Sequence, residues 1–433
     1  MTMTMTEPAM VQLQARETEV VIDATIGTEN TTVDTRTRRA RRSAELTIIT
    51  NSEQQAFRDC PQKHDFQYRQ RMRPKTTGKA LAIGSVFHHG MSQGLLAGWK
   101  DIDGLTVDER LDRQIAAATA DVDAKVFEWV QEVVAHDPSA DYAGLQAFAD
   151  ETGAMLKFML ANYFAHSKRD LTTLVLVETE RPFAVRVRDA IGRKLRIEFR
   201  GVRDAVFYDP TYNALELHEH KTVSSLPEDI GKRAEMDPQT SGYMYALLED
   251  RAAGKLKFLD GTPIPSDVIL GRVAYNAVRK KKPSTPKVNK DGTVSVAAID
   301  TTAELYMAAL DEQQKVRGIA VTDKQLEKMR ELAARGNTYV GRVEYQKTRA
   351  EIDRWRSDTV VDASRIRAAA TRPEYRTRNP GHCNMPWSLP CSYRSVCLDD
   401  TPETRAMFRV LDDAHPEVRE AEAVEAAAVV TST

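Results

Sequence analysis

Apolar residues along this chain keep one spacing up to about residue 170 and then change to another. In the first stretch they recur at helical intervals. Phe57, Cys60 and His64 fall on one side of 53–68, and Leu111, Ile115, Val122, Val126 and Trp129 mark a stripe within 106–168. Apolar positions three or four apart form one face of a helix, so this part is expected to be largely α-helical. Ser52 precedes the first helix and is the expected N-cap. Residues 79–98 (KALAIGSVFHHGMSQGLLAG) predict a further helix with small residues on one side, and 46–51 (LTIITN) a short lead-in.

Beyond residue 173 the period falls to two. Residues 174–187, 194–207 and 213–221 alternate and are rich in β-branched side chains, the pattern of strands with one face buried. The separators RDAIGR and DPTYN carry Asp, Gly, Pro and Asn, which favour turns, so the three strands predict an antiparallel meander. Asp237-Pro238 reads as an N-cap followed by proline at the first helical position, opening a helix to about residue 250. A fourth strand is expected at 269–278, an exposed Lys/Pro-rich loop after it, helices within 303–335, and at least one more within 341–370.

Composition narrows this picture. Residues 1–45 and 409–433 hold no aromatic residue and are expected to be tails, since they cannot bury a core. Net charge is −2, so any nucleic-acid partner must be held by local basic runs: 36–42 (RTRRARR), 69–75 (RQRMRPK) or 279–282 (RKKK). No apolar run approaches the ~20 residues of a membrane span, and the first residues lack the apolar core of a secretory signal, so a cytoplasmic protein is expected. No G-x-x-x-x-G-K-[ST] occurs, so an unwinding partner would be a separate protein.

The candidate chemistry lies in the strands. Asp204 lies near the end of one of them, and Glu219 and Lys221, two apart on the next, would share a face. Two acids can hold a divalent cation, and a nearby ammonium can offset charge on a phosphate under attack. Gln239 and Tyr243, four apart, share a face of the following helix. Upstream, His88 follows Gly84 by four and can offer an imidazole nitrogen to a metal, with His89 as its neighbouring competitor. Glu180 adds an acid from the first strand, with Glu178 expected on the same face. Cys383, Cys391 and Cys397 cluster near the C-terminus and Cys60 stands alone near the N-terminus, a set able to bind zinc or an iron–sulfur cluster.

Read together and in order, these motifs resemble the PD-(D/E)XK nuclease superfamily, and within it the RecB-like branch that includes CRISPR-associated exonucleases. The carrying residues are Cys60-Pro61 with Phe66 and Tyr68, Gly84 to His88, Glu180, Gly201 to Asp204, Glu219 to Lys221, Gln239 to Tyr243, and the cysteine trio, over about 48–400. The stretches YNAVRKKKP and AIDTTAELY look like phage-borne members, which would place the protein in a host cytoplasm.

The resemblance implies an α/β (α+β) restriction-endonuclease-like core, with a central mixed sheet flanked by helices. Its parts would be a tail (1–45), a helical N-terminal part (46–170), the nuclease core (171–280), a loop and helical elaboration (281–370), a cysteine segment (371–400) and a second tail (401–433). It implies a metal-dependent DNA exonuclease acting on single strands or duplex ends. Asp204, Glu219, His88 and the His220 carbonyl would hold Mg2+ or Mn2+. Lys221 would position or polarise the attacking water, Gln239 and Tyr243 would orient the site, Glu180 would be an auxiliary acid, and the four cysteines would bind a structural [4Fe–4S] cluster. The trio departs from the usual C-x2-C-x5-C, because the gap from Cys383 to Cys391 is longer, which makes Cys383 the least secure ligand. A DNA endonuclease and a catalytically silent DNA-binding iron–sulfur module stand as alternatives.

Overall fold

The two long alternating runs pair as an antiparallel ribbon, β3 (Val175–Arg188) with β4 (Lys194–Asp209). The structure, a computed structural model, describes residues 46–75, 78–136, 141–383, 390–419 and 421–423. The expected tail 1–45 with its basic run, residues 384–389 of the cysteine segment and residues 424–433 lie outside them. The far edge of β4 is shared. Its first half pairs in parallel with β1 (Thr47–Thr50), the lead-in segment, and its second half pairs antiparallel with β5 (Ala214–Val223). β6 (Ile269–Arg279) then adds in parallel to β5, and β7 (Val340–Tyr345) antiparallel to β6. The result among the described residues is a six-stranded mixed sheet. Segment 341–370 thus opens with a strand before its helix begins.

Helices cover both faces. On one side lie α2 (Lys79–Trp99), α3 (Val107–Ala120), α4 (Val122–His136) and α5 (Tyr142–His166). Their core joins Phe87, Leu156 and Phe164 to Leu176 and Phe207 of the sheet. α2 can approach so closely because Gly90, Gly94 and Gly98 form one stripe; a Cβ at Gly90 would lie 2.6 Å from Leu160. The opposite face packs α6 (Pro238–Ala252) and α9 (Arg349–Thr371) over Phe183, Phe199 and Leu217, with Tyr243 and Trp355 between. α7 (Ala303–Lys315) and α8 (Asp323–Arg335) have a smaller core of their own around Tyr306 and Leu332. No helix among the described residues is long and apolar enough to cross a membrane.

The N-terminal helix differs from its expected form in two ways. Its cap is Thr50, not Ser52: the Thr50 hydroxyl accepts from the Glu53 N–H at 3.1 Å, and α1 runs Asn51–Asp59. It also breaks at Cys60, which is extended at φ −166°. Pro61 follows, and a residue before proline is driven out of the helical region. Helical structure resumes at Pro61–His64 and passes into a π-helical turn, Asp65–Arg69. Nor does a tail start at 401. β8 (Phe408–Val410) pairs with β2 (Met72–Pro74), Phe408 stacks on Tyr393, and buried His415 bonds Glu53. These few buried anchors hold a segment that otherwise reads as charged and disordered.

Candidate active site

Midway along the ribbon the ladder skips a pair. Thr179 opposes Ala205 and Arg181 opposes Arg203, but Glu180 and Asp204 are not paired. Glu180 has φ 45°, a left-handed conformation that few non-glycine residues adopt. The irregularity lets β4 change the face it presents, from Phe199 on the α6 side to Ala205 and Phe207 on the α2 side. Glu180 and Asp204 sit at the change and both reach toward α2. There His88 Nδ1 lies 3.0 Å from Glu180 Oε1 and 3.6 Å from Asp204 Oδ1. One ligand atom from each of the three lies within 4.8 Å of the others.

Glu178 does not share this site, against the expectation from its spacing. It accepts from Arg203 and is nearly fully buried beside it, with Asp250 of α6 as the guanidinium's second acid at 3.0 Å. The positive φ at Glu180 separates the two glutamates. Alternation alone could not reveal this, because it assumes an unbroken strand.

On β5 the odd residues face α6, so Glu219 and Lys221 lie on one side of the strand. Lys221 Nζ donates to Glu219 Oε1 at 2.5 Å and to Gln239 Oε1 at 2.8 Å. Glu219 is fully buried, and its Oε2 has no hydrogen-bond partner among the described residues. A buried, orphaned carboxylate oxygen is costly unless something positive meets it. Asp237 caps α6 as expected, its carboxylate accepting from the Gln239 N–H at 2.8 Å, and so sets the first turn that carries Gln239. Tyr243, one turn later, is buried edge-on against Phe183. Gly201 makes room for both rings; a Cβ there would lie 2.8 Å from Phe183 and 3.1 Å from Tyr243.

His220 meets the site through its main chain, its N–H donating to Asp204 Oδ2 at 2.7 Å. Its ring points to the α2/α5 side, where Nε2 lies 2.9 Å from the Tyr163 hydroxyl. Burial, with His218 and His88 nearby, pushes that imidazole well below its ordinary range, so it is neutral. Behind it Arg342 bonds Asp170 at 2.7 Å and Asn276 at 2.6 Å. Sequence reasoning missed this support and the Arg203 network alike, since the partners are far apart in the chain, 172 residues for Arg342 and Asp170 and 47 for Arg203 and Asp250.

The charges are out of balance in one direction. Burial pushes the Asp204 carboxyl up, and Glu180 adds to it. Burial and the neighbouring Asp204 raise Glu219 to about 8. Burial alone would lower His88, but Asp204, Glu180 and Glu219 hold it up at about 9. Burial would likewise lower Lys221, yet Glu219 and Asp204 raise it above its ordinary value, so it stays an ammonium. Acids raised by mutual repulsion mark a place that a cation would stabilise. One imidazole and two carboxylates, with Glu219 beside them, are a donor set suited to a divalent ion, and the orphaned Glu219 oxygen fits that use.

The cysteines form a second group, remote from these acids in sequence. Cys60 is buried, and Cys383, Cys391 and Cys397 are half-buried. The Cys391 N–H donates to the Cys383 carbonyl at 3.2 Å. Burial raises the Cys397 thiol, and Cys60, Cys383 and Cys391 all lie near enough to raise it further. The Cys60 thiol lies 3.9 Å from the Thr377 carbonyl and the Cys383 thiol 3.5 Å from the Asn379 carbonyl, so Cys60 sits beside the segment that leads into the trio, and an apolar group of Phe66, Met72, Tyr393, Val396 and Phe408 packs beside Cys391 and Cys397.

The profile of the PD-(D/E)XK nuclease superfamily matches residues 49–398, a span that runs from β1 to just beyond Cys397 and contains the whole acid–lysine site. No curated protein matches the chain. With most of its length matched, and with a mixed sheet flanked by helices presenting clustered acids and a lysine, the chain belongs to the PD-(D/E)XK nuclease superfamily.

Proposed function

We propose that this protein is a Mg2+- or Mn2+-dependent deoxyribonuclease of the RecB-like branch, acting as an exonuclease and carrying a structural [4Fe–4S] cluster on Cys60, Cys383, Cys391 and Cys397. The observation that carries the nuclease reading is the convergence of His88, Glu180 and Asp204 beside the orphaned Glu219 oxygen and the charged Lys221. The exonuclease and cluster assignments rest on the motif order, and the phage source on the two short stretches around 275–283 and 298–306.

In this reading Asp204, Glu219 and His88 hold the cation together with the His220 carbonyl, and Glu180 steadies His88. When bound, the cation lowers the pKa of a water and neutralises charge on the phosphate. Lys221 acts as a fixed ammonium donor to the water or a phosphate oxygen. Gln239 holds that ammonium through the 2.8 Å bond, and the His220 N–H keeps Asp204 turned toward His88.

End-labelled linear DNA and circular single-stranded DNA, each incubated with Mn2+ or Mg2+, test the reading. Linear DNA should be degraded from an end and circles left intact, and Asp204→Ala should abolish both metal dependence and cleavage. Wild-type cleavage by Asp204→Ala would overturn the assignment of the site; rapid cutting of circles would replace exonuclease by endonuclease.

A further inference from the structure

Two cavities lie beyond the end of β5, past the acid–lysine residues, which line neither of them. The first, about 730 Å3, begins at Thr222 and Val223, directly after Lys221. The second, about 720 Å3, lies between the start of α2, α5 and the segment after β6. Ser224 and Lys280 line both, so they adjoin. The sheet explains the junction. Val223 pairs with Arg279, and the Lys280 N–H donates to the Val223 carbonyl at 2.7 Å, so the basic run 279–282 emerges beside the end of the strand that carries Glu219 and Lys221.

The walls of the second cavity differ in kind. Its floor is apolar, with Ile83 of α2 and Phe148 and Met155 of α5. Its rim is basic, with Lys79, Lys280 and Lys282, none of which has a carboxylate partner among the described residues; Lys281 is paired with Asp300 at 2.7 Å. Glu151 is the one acid among its lining residues, whereas the first cavity carries Glu228 and Asp229 beside Arg233 and Lys280. Lys79 Nζ rests 4.1 Å from the centroid of the Phe148 ring. A helix face links this floor to the metal-ligand cluster. His88, Gly84 and Ala80 are four apart, so they line one side of α2 over about 12 Å. A Cβ at Gly84 would touch nothing within 4 Å, so packing within the protein does not require glycine there, and the helix surface is open.

Resting on the nuclease reading, we propose that the second cavity is the track for a single DNA strand on one side of the scissile phosphate, with Phe148 as a base-stacking platform and Lys79, Lys280 and Lys282 holding the phosphates. An apolar aromatic floor under a basic rim matches an unpaired strand, which offers both base faces and a charged backbone. A duplex hides its base faces in its own stack and offers mainly phosphates. A base arriving over Phe148 displaces only the flexible Lys79 side chain, which can move to the adjacent phosphate.

The test uses the full chain in Ca2+, with fluorescence anisotropy of labelled single-stranded and duplex DNA of equal length. Phe148→Leu keeps most of the packing volume and removes the aromatic face. It should weaken single-strand binding by about tenfold and leave duplex binding unchanged. Lys79→Ala/Lys280→Ala/Lys282→Ala should lower the salt slope of single-strand binding by about two. Hydrolysis of bis(p-nitrophenyl) phosphate with Mn2+, which needs the metal centre alone, should be unchanged in both variants. Variants that bind single strands like wild type overturn the track. Equal losses for duplex overturn the single-strand assignment. A wild type that hydrolyses neither the ester nor DNA overturns the nuclease reading instead, while the binding series still decides the track.

Discussion

At the scale of single residues, the chemistry depends on keeping unlike charges close in a buried place. Asp204 and Glu219 are pushed up by burial and by neighbouring acids, and Lys221 is held charged by the same acids. Replacing Lys221 by Met removes the donor and leaves the His88/Glu180/Asp204 atoms in place. Turnover of DNA should then fall roughly 10²–10³-fold, the usual cost of losing one aligned transition-state donor. Mn2+ binding measured by calorimetry should persist. Loss of metal binding and turnover together would make Lys221 a part of the metal site's scaffold. The directions of Glu219, Lys221 and Gln239 were legible because a period of two on β5 and an N-cap on α6 fix where each points; Asp204 was legible only as a motif residue, since β4 changes face at that point. The place of Glu180 was not, because one left-handed residue in β3 undoes the alternation, and no residue type announces it.

At the scale of elements, the strands of the ribbon and the order of helices and strands could be read from spacing alone, but the joints between elements could not. Residues 46–51 read as a lead-in, yet 47–50 form a strand that pairs in parallel with β4. The residues that fasten α1 to the chain's far end were invisible for a related reason: they bond across more than three hundred residues. Glu53 accepts from His64 Nε2 and His415 Nε2, each at 2.9 Å, with Tyr68 stacked between the two imidazoles. Burial alone would raise the Glu53 carboxyl, but these two bonds lower it below its ordinary 4.5. A carboxyl lowered in the fold contributes stability that is full above its unfolded value and fades as pH falls through the folded one. Glu53→Gln should therefore cost about 1.5–3 kcal/mol at pH 7, the range for hydrogen bonds to a charged group. In chemical denaturation the gap to wild type should narrow below about pH 4; a gap that is constant with pH would mean that shape, not charge, fastens the segment.

At the scale of the whole molecule, the chain is closed on itself at the cysteines. Cys60 stands at the proline-forced break after α1, and Cys391 and Cys397 flank Tyr393, which stacks between Phe66 and Phe408. The apolar group there is small beside the two cores that sandwich the sheet. That small core closes a loop of more than three hundred residues together with the β2–β8 pair and the Glu53–His415 bond, and a bound metal group would add stability in that position. If the cluster is that group, Cys60→Ser should lose bound iron and lower the thermal midpoint, and anaerobic chelation of the wild type should reproduce the same shift. The acid–lysine site lies on the sheet between its own helices, so bis(p-nitrophenyl) phosphate hydrolysis by the folded fraction should survive, while Lys221→Met does the reverse and keeps both iron and midpoint. A Cys60→Ser protein that keeps its iron, or a wild type whose four cysteines hold zinc with full activity, would remove the cluster and leave the closure to the Phe66, Tyr393 and Phe408 group, the β2–β8 pair and the Glu53–His415 bond.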